Sequence, residues 1–511
     1  MCEYRRPRVE RKPFRTRFKL RCQGAGVSAF RLLTATEWQD EAHRLAQGEA
    51  TLVSLWADDG RMRMALREAD GALTFVETAS ENDAFPSVAA VHAPASRLER
   101  AACDLFGLHA RGARDDRGWL DHGCWPVRRP LSEPIDRCGH PDAYPFLKAE
   151  GEGLHQIPVG PVHAGIIEPG HFRFHASGET VVRLEERLGY VHKGVDALLR
   201  GASLDRAAVL AGRVSGDSTV AYAIAFSRAA EAALGVEPPA RAHWLRGLMA
   251  ELERIANHFG DIGAISNDAA FALMHAHCGV LREKTLRAAE TAFGHRLMMD
   301  AVVPGGVADD LAPEGANAIR MLVREARTTF PKLVSLYDNT ASLMDRTVAT
   351  GVLKRDLAVR FGAGGFVGRA SGRDFDARRD HPYPPYDRIH FKVPTRPEGD
   401  VNARVWVRIG EGFESLDLID TILARLPVGP FRAPLPASPA TGQGHALVEG
   451  FRGDVFAHVR LTEAGEVARC HLRDPSWFQW PLLEAAIEGA IVADFPLCNK
   501  SFNCSYSGCD L

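Results

Sequence analysis

The stretch H-W-L-R-G-L-M-A-E-L-E-R-I-A-N-H-F-G-D-I, residues 243–262, carries the clearest structural pattern in the sequence. Its apolar residues recur at steps of three and four and form one broad stripe along a helix. They are Leu245, Leu248, Met249, Leu252, Ile255, Ala256 and Phe259. Similar patterns run through 205–234, 277–293 and 315–345. The middle of the chain is therefore predicted to be a helical bundle.

The first part of the chain has a mixed pattern. A helical run at 36–46 is followed by short apolar stretches such as T-L-V-S-L-W and L-T-F-V, which polar turns interrupt. This pattern predicts a small α+β domain over 27–128, after a basic arm at 1–26. Proline and glycine are frequent from 126 to 161, which predicts a linker at 129–154 and a domain boundary near residue 150.

Strand-like alternation returns after the bundle. It is visible in R-I-H-F-K-V-P, residues 388–394, and in V-F-A-H-V-R-L, residues 455–461. There T-E-A-G turns the chain toward E-V-A-R-C-H-L. The predicted fold class is α+β: a small N-terminal α+β domain, then a large and mainly helical domain with peripheral β-strands over 155–511.

Composition excludes several classes of protein. The 511 residues are 46% hydrophobic and 25% charged, and the formal net charge of -3 creates no field that would gather nucleic acid. No stretch approaches the roughly 20 unbroken apolar residues of a membrane span, and no apolar region of a secretory signal follows the basic start. We expect a soluble or peripheral protein whose basic arm is solvated, although a contact with a membrane surface or a partner remains an alternative.

The cysteines and histidines complete no standard metal site. Ten cysteines occur, and no two are separated by two residues, which excludes a zinc ribbon and a ferredoxin-type cluster. We expect them to be reduced thiols in the cytoplasm. His163, His171 and His175 lie close together, but no cysteine or carboxylate stands at a spacing that would complete a zinc site. No strand-G-x-G-x-x-G-helix unit indicates direct NAD binding.

Several motifs carry a family resemblance. G-P-V-H-A-G at 160–165 and P-G-H-F-R-F-H-A-S-G-E-T-V-V-R-L-E-E-R-L-G-Y-V-H-K-G at 169–194 resemble the large subunit of group 4 membrane-bound nickel-iron hydrogenases, of the hydrogenase-4 and formate hydrogenlyase type. The same motifs mark the D subunit of NADH-quinone oxidoreductase, complex I. S-R-L-E-R-A-A-C-D-L-F-G-L-H-A-R-G resembles the C-subunit signature of complex I. The order of the two matches implies a fusion of C-like and D-like domains.

The resemblance also indicates what is missing. The hydrogenases hold nickel and iron on four thiolates from two C-x-x-C pairs, and soft thiolates suit those metals. In R-V-S-G-D-S-T-V-A-Y, Ser215 and Ser218 stand at the first pair. In D-F-P-L-C-N-K-S-F-N-C-S-Y-S-G-C-D, Ser505 and Gly508 stand at the second. We therefore expect no metal and no hydrogenase activity. An unusual metal site that uses Cys498, Cys504 and Cys509 remains a third hypothesis.

Complex I also lacks those cysteines and binds the quinone headgroup in the corresponding cavity. By motif match, the resemblance implies that His163 and Asp268 are the proton-donating pair. The quinone tyrosine of that family falls on Gly216, so that Tyr222 could replace it only if it faces the same cavity. The predicted cavity is lined by Ser215, Gly216, Ser218, Tyr222, Ser505 and Gly508. A histidine satisfied by backbone at a Gly-Pro turn is the simpler interpretation of His163.

The resemblance implies an oxidoreductase subunit that is active only within a complex. Electrons would come from an iron-sulfur partner like the complex I B subunit, next to a ferredoxin-like subunit, and would reduce quinone. Membrane antiporter-like subunits would translocate ions. The chain would bind no cofactor directly, would be linked to NAD only through its family, and would lie peripherally on the cytoplasmic face of the inner membrane. A non-catalytic scaffold derived from a hydrogenase large subunit is the alternative.

Charged residues on the bundle helix and in R-A-S-G-R-D-F-D-A-R are expected to be architectural. A buried ion pair is costly to break but is weak support for catalysis. These residues could form such pairs or line the interface with the iron-sulfur partner. They are Glu251, Glu253, Arg254, Arg369, Arg373 and Arg378.

Overall fold

A computed structural model describes residues 25–137, 143–164, 167–436 and 441–511. The N-terminal region is an α+β unit whose four-stranded sheet has the order β2-β5-β4-β3. The elements are β1 (Ala25–Val27), β2 (Phe30–Leu33), α1 (Ala35–Gln47), β3 (Ala50–Asp58), β4 (Arg61–Glu68), β5 (Leu73–Ala79), β6 (Ala84–Pro86), α2 (Ser96–Phe106), β7 (His109–Arg111), β8 (Val127–Arg128) and β9 (Ile135–Asp136). The predicted helix and strands of this region are confirmed. Residues 1–24 of the predicted basic arm lie outside the described residues, and its last two residues belong to β1.

A three-stranded antiparallel sheet follows, formed by β10 (Leu154–Ala164), β11 (Ile167–Ser177) and β12 (Thr180–Arg187). The described part of the expected linker is packed against it. Arg100 Nη2 donates to the Tyr144 hydroxyl at 2.9 Å, and the Arg187 guanidinium lies 3.6 Å from the Tyr144 ring. The Phe146 ring lies 4.9 Å from that of His171. These contacts fasten the segment to both α2 and the sheet.

The middle of the chain is helical. Its long helices pack as α6 against α7 and α13, and α7 against α8. The elements are α3 (Val195–Leu199), α4 (Leu204–Ala211), α5 (Thr219–Leu234), α6 (Ala240–Asp268), α7 (Ala272–Phe293), β13 (Val302–Val303), β14 (Gly306–Val307), α8 (Pro313–Asp338), α9 (Ala341–Thr347), α10 (Arg355–Arg360), α11 (Gly365–Ala370), α12 (Ala377–Asp380) and α13 (Val401–Arg425). Within the described ranges, no helix is long and apolar enough to cross a membrane.

Two of the predicted helices are interrupted. The pattern at 205–234 forms α4 and α5 with a loop at 212–218, and the pattern at 315–345 ends at Asp338 before α9 begins. The first break contains Gly212, Ser215 and Asp217, whose side chains or flexibility favour loops and helix ends. Ser215 is extended, with φ of -141° and ψ of 116°. The break places this serine loop directly before α5.

The C-terminal region returns to a sheet. It contains β15 (Gln443–Gly450), β16 (Gly453–Leu461), β17 (Val467–Arg473), α14 (Ser476–Ala486), α15 (Phe495–Phe502) and α16 (Ser507–Asp510). The sheet order is β1-β15-β16-β17, so the first described strand belongs to the last sheet. The strands predicted at 455–461 and 466–472 are confirmed. The strand predicted at 388–394 is wrong, because the Lys392 N–H bonds the Glu414 carboxylate and Pro394 has no N–H to pair.

The N-terminal and C-terminal sheets pack face to face. The rings of Trp56 and His471 are stacked with centroids 5.0 Å apart. Arg460 donates from two nitrogens to Asp58, at 2.7 and 2.9 Å. Arg473 Nε donates to the Val53 carbonyl at 2.8 Å. The two regions therefore share a buried interface.

The bundle is held together by buried ion pairs, as expected for an architectural role. Arg369 pairs with Glu411 and Glu449, each at 2.8 Å. Arg378 pairs with Glu251 at 2.9 Å. Arg254 donates to the carbonyls of residues 449 and 450, and Arg373 to that of residue 363. Glu253 is the exception, because its carboxyl lies at the N-terminus of α5 near the serine loop.

Three histidines form a buried row across the C-terminal sheet. His445, His458 and His471 are cross-strand neighbours, and burial lowers the pKa of each, that of His445 to about 4. Neither ring nitrogen of His458 has a hydrogen-bond partner in the part of the chain that the structure describes. Nearby Arg63 lowers the pKa of His458 further, whereas Asp58 opposes it. The interface therefore holds neutral imidazoles.

We predict that acid weakens this interface. A histidine with a lowered folded pKa stabilises the fold above its unfolded pKa of 6.5, and this stabilisation is lost as the pH falls toward the folded pKa. At pH 5 the loss is about 2 kcal/mol for each such histidine. The fall in thermal midpoint from pH 7 to pH 5 should be smaller in His458→Leu. The exposed His277→Leu variant should behave like the wild type, and equal falls in all three proteins would contradict the prediction.

Candidate functional site

The serine loop meets the end of the chain. Ser215 Oγ and Ser505 Oγ lie 2.9 Å apart, and both residues are buried. Ser215 precedes α5, whereas Ser505 lies between α15 and α16. The resemblance places Ser215 at the first pair of metal-binding cysteines and Ser505 at the second. The structure therefore brings one position of each pair into direct contact.

An ion pair orients this contact. Arg452 donates to both oxygens of Asp217, at 2.7 and 2.6 Å, and to Ser218 Oγ at 3.0 Å. Burial opposes the charged form of Asp217, but Arg452 and Ser215 outweigh it and lower the pKa of this carboxyl. Ser215 then donates to the Asp217 carboxylate at 3.0 Å, because a carboxylate only accepts.

The direction of the remaining hydrogen bonds follows. With its proton directed to Asp217, Ser215 accepts from Ser505, which in turn accepts from the Gly508 N–H at 3.0 Å. The chain of donors runs from Gly508 through the two serines to Asp217. All of these partners are hard oxygen or nitrogen groups, which suit hydrogen bonding better than the binding of soft metals.

The fourth position has no room for a side chain. A Cβ added at Gly508 would lie 2.7 Å from both Cγ and Oδ2 of Asp474. Asp474 Oδ2 accepts from the Tyr222 hydroxyl at 2.7 Å. Burial raises the pKa of Tyr222 well above its ordinary value, and the negative charge of Asp474 adds to this. Asp474 therefore lies between Tyr222 and Gly508. Gly508, Ser505, Ser215 and Asp217 are joined by hydrogen bonds and are called the serine cluster below.

The three nearby cysteines have protonated thiols. Burial raises the pKa of Cys498 to about 11 and those of Cys504 and Cys509 well above the ordinary value. Metals bind the thiolate form. Nowhere in residues 25–137, 143–164, 167–436 and 441–511 do three or more histidine, cysteine or acidic side chains form a group that could hold a metal ion.

His163 lies on β10 near the turn to β11, and it is exposed. The hairpin formed by β10 and β11 contacts the last residues of the sequence, 503–511, which are called the tail below. Ser507 N donates to Glu168 Oε2 at 2.8 Å. A Cβ at Gly170 would lie 2.8 Å from the Tyr506 ring, so glycine permits the close approach. The hairpin thus lies against the segment that also contains Ser505.

Asp268 is the last residue of α6 and is exposed. Partial desolvation raises the pKa of Asp268, whereas Lys500 and His275 oppose the rise. His163 and Asp268 are therefore carried by different elements, and the charged neighbours of Asp268 come from α15 and α7. Beside Asp268, α7 presents the exposed apolar side chains of Leu273 and Val280 on one face.

Gly216 borders a narrow cleft between the serine loop (residues 212–218), α6 and α7. The free volume of this cleft is about 10 Å³, room for roughly one water molecule. Its lining includes Gly216, Leu252, Glu253, Ala256, Arg282, Leu286, Arg296, Leu297 and Met298. Burial raises the pKa of Glu253 to about 8, although the N–H groups of residues 220 and 221 oppose this. Glu253 therefore carries a proton at neutral pH.

A second buried carboxyl lies at the tail. Asp510 accepts from the N–H groups of Gly189 and Val191, at 2.8 and 3.0 Å. Burial raises its pKa to about 7, against the effect of these hydrogen bonds. Asp510 thus exchanges a proton near neutral pH next to the hairpin.

Sequence reasoning missed Arg452, Asp474 and Glu168. Arg452 lies at the turn between β15 and β16, Asp474 directly follows β17, and Glu168 lies on β11, so that no spacing in the sequence connects them. Asp217 did carry a signal, because it lies between the two serines in S-G-D-S. An acidic residue between two hydroxyls at a helix start is an acceptor for both.

Comparisons with known proteins agree with this organisation. Residues 24–137 match the family described as "Respiratory-chain NADH dehydrogenase, 30 Kd subunit", and residues 261–440 and 435–511 match its 49 Kd subunit. A carbon monoxide-induced hydrogenase of Rhodospirillum rubrum is 32% identical over 68% of this chain and 96% of its own length. Hydrogenase-4 component G of Escherichia coli is 31% identical over 83% of this chain and 76% of its own length.

A solved structure gives the same relationship. A chain in the structure of the membrane-bound sulfane sulfur reductase, an archaeal respiratory membrane complex, superposes with a TM-score of 0.67. It is 25% identical, and the match covers 71% of this chain and all of the other. Residues 138–260, which carry His163 and the serine loop, lie outside both family matches.

We predict that the Gly508 position tolerates no side chain. In Gly508→Ala the new Cβ displaces the Asp474 carboxylate from Tyr222, which should destabilise the protein by about 1–3 kcal/mol. Gly216→Ala is the matched control, because its Cβ would have no neighbour closer than 3.9 Å. The thermal midpoints of the two variants measure the difference, and an unchanged midpoint in Gly508→Ala would show that the site is open.

Proposed function

The chain belongs to the family that unites the 30 Kd and 49 Kd subunits of respiratory-chain NADH dehydrogenase with large subunits of membrane-bound hydrogenases, and from this premise we propose its function. We propose that it passes electrons from an iron-sulfur partner to quinone, without nickel-iron chemistry. It is an oxidoreductase subunit of a membrane-associated complex. The identity of the partner, the identity of the acceptor and the coupling to ion translocation are part of this proposal.

The contact between Ser215 and Ser505 is the main support for chemistry without a metal. The two hydroxyls are 2.9 Å apart and are bonded into the Asp217–Arg452 pair. A metal ion held between these positions would have to break that hydrogen bond and would gain only neutral hydroxyl ligands.

Reduction of a quinone consumes two electrons and two protons and yields the quinol. We propose that electrons come from the partner and that protons come from water through side chains of this chain. His163 is exposed on the hairpin, and Asp510 and Glu253 have carboxyls whose pKa values lie at about 7 and 8. Groups with such pKa values give and take protons near neutral pH. The hairpin with His163 and the tail with Asp510 therefore border the proposed acceptor site.

The position of Asp268 supports a role at a subunit boundary. It adjoins the exposed apolar face of α7 that contains Leu273 and Val280. We propose that the iron-sulfur partner covers this face and takes Asp268 out of water. A ferredoxin-like subunit would feed the partner, and antiporter-like membrane subunits would complete the complex on the cytoplasmic face of the inner membrane.

A specific observation favours a scaffold as the second candidate. The cleft at Gly216 has room for roughly one water molecule, and the serine cluster is closed by its own hydrogen bonds. A scaffold needs neither an acceptor site nor His163. The two candidates differ in whether the assembled complex reduces an acceptor at this subunit. Sulfane sulfur, named for the structural neighbour, is a second acceptor to compare with quinone.

We predict that His163→Ala in the purified complex lowers the rate of quinone-analogue reduction by at least about 100-fold, the usual scale for loss of a general acid. His155→Ala, on the same strand and also exposed, should retain the rate. Reduction of the iron-sulfur clusters by the donor should be normal in both variants, which separates assembly from chemistry. Unchanged turnover in His163→Ala would refute its role, and no reduction by the wild-type complex would favour the scaffold.

A further inference from the structure

Two carboxyl groups share one arginine next to the tail. Arg97 of α2 donates from Nη1 to Glu186 Oε2 at 3.3 Å and from Nη2 to Glu484 Oε1 at 2.8 Å. Glu186 belongs to β12 and Glu484 to α14, and these two residues are called the acid pair below. Within the described ranges, no other lysine or arginine forms an ion pair with either carboxyl. The group thus contains two acids and one cation.

The hydrogen bonds indicate which of the two acids carries a proton. Glu484 Oε1 accepts from Arg97 and also from the Glu186 N–H at 2.8 Å, and both contacts suit a carboxylate. Glu186 is 1% exposed, and its Oε1 has no hydrogen-bond partner in the part of the chain that the structure describes. A buried charged oxygen without a partner is far more costly than a neutral hydroxyl. The geometry therefore favours a proton on Glu186.

The electrostatics of the acid pair agree with this assignment. Burial raises the pKa of Glu186 well above its ordinary value, and the negative charge of Glu484 raises it further, whereas Arg97 opposes both. Burial also raises the pKa of Glu484, against the effects of Arg97 and of the Glu186 N–H. Two carboxyls at one site titrate together, and one of them keeps its proton to a higher pH. The other titratable or charged groups that face the pair are Arg183, Glu185, Cys498, Cys504 and Tyr506.

The acid pair adjoins the tail. Trp480 lies on α14 one turn before Glu484, and its Nε1 donates to the Ser505 carbonyl at 3.1 Å. The Trp480 ring lies 4.7 Å from that of Tyr506. Burial raises the pKa of Tyr506, and the charge of Glu186 acts in the same direction. A change of charge on Glu186 is therefore felt at the tail.

The two acids differ in their access to water. The side chain of Glu186 is fully buried, whereas that of Glu484 is 23% exposed. Arg97 contacts both carboxyls, so that the inner acid and the outer acid are held on one guanidinium. A proton that leaves Glu186 can thus be replaced from water by way of Glu484.

We infer that the acid pair holds one proton around Arg97 and supplies it to the acceptor that is reduced next to the tail. This inference rests on the proposed function. When quinone takes up two electrons, the O–H bond of the Glu186 carboxyl breaks, and the proton passes through hydroxyl groups or water at the tail to form one O–H bond of the quinol. Arg97 stabilises the carboxylate that remains, and water restores its proton through Glu484. The second proton comes from the groups at the hairpin and the tail described above.

Infrared spectroscopy of the full-length chain tests whether the proton is present. Glu186→Gln keeps the shape of a protonated glutamate and should remove one C=O stretching band of a protonated carboxyl at pH 7. A carboxyl with a raised folded pKa gives stability that is fully present below its unfolded pKa of 4.5 and is lost as the pH rises toward the folded pKa. The thermal midpoint of the wild type should therefore fall relative to that of Glu186→Gln between pH 4 and pH 8.

The purified complex tests whether the proton is used. Reduction by the physiological donor in the presence of a quinone analogue should produce a transient loss of the Glu186 band in the infrared difference spectrum. Glu186→Gln should lower the rate of quinone-analogue reduction about tenfold or more, because a proton donor is lost. Glu484→Gln should also lower the rate, because the proton is replaced more slowly.

Glu185→Gln is the matched control. Glu185 is the neighbour of Glu186 on β12 and is also buried. It differs because it has its own cation, and its carboxylate accepts from Arg117 and from the Leu147 N–H, each at 2.7 Å. Its substitution should lower the thermal midpoint and leave both the protonated-carboxyl band and the reduction rate unchanged.

The outcomes separate this inference from the proposed function. An unchanged band in Glu186→Gln, or a midpoint difference that does not vary with pH, would overturn the shared proton. Normal quinone reduction by Glu186→Gln would overturn the donor role while leaving the proposed function intact. If the wild-type complex reduces no quinone analogue, the proposed function fails and the donor role fails with it, even though the band is present in the isolated chain.

Discussion

The guanidinium of Arg452 joins the parts of the chain on which the candidate site depends. It holds the Asp217 carboxylate through two nitrogens, and its Nε donates to the Asn503 carbonyl at 2.5 Å. Arg452 lies at the turn between β15 and β16, Asp217 before α5, and Asn503 after α15. One side chain thus joins the sheet, the serine loop and the tail. The orientation of Ser215 and Ser505 follows from the carboxylate that Arg452 holds.

This arrangement would allow a fold related to hydrogenases to do without metal ligands, as we propose for this chain. A group of thiolates around a metal would supply both charge and rigidity. Here the Asp217–Arg452 pair supplies the charge, and hydrogen bonds from Gly508 through the serines supply the rigidity. Asp474 fills the space beside Gly508 and holds Tyr222. The hairpin with His163 lies over the same tail, which leaves an exposed imidazole next to a closed polar core.

Local patterns in the sequence predicted much of the fold. The apolar stripe of 243–262 predicted α6, and alternation predicted β16 and β17, because burial on one face imposes those periods. The break before α5 was missed, although Gly212, Ser215 and Asp217 in it favour loops and helix ends. The face-to-face sheets were missed as well, because contacts such as Asp58 with Arg460 join distant parts of the chain.

The candidate site was predictable only in part. The family motifs assigned Ser215 and Ser505 to the same predicted cavity, and the structure places the two side chains in contact. Arg452 and Asp474, which contact this site, lie in no recognisable motif. Asp474 fills the space beside Gly508, and this contact depends on tertiary packing. The roles of His163 and Asp268 as a pair remain predictions that depend on the partner subunits.

The central claim is that quinone is reduced next to the hairpin and the tail. Photolabelling of the purified complex with an azido-quinone, followed by mass spectrometry, tests it most directly. The account predicts labelled peptides from residues 154–177 and 504–511, with labelling reduced by excess unmodified quinone. Labelling confined to other subunits, or to parts of this chain remote from those two segments, would contradict it.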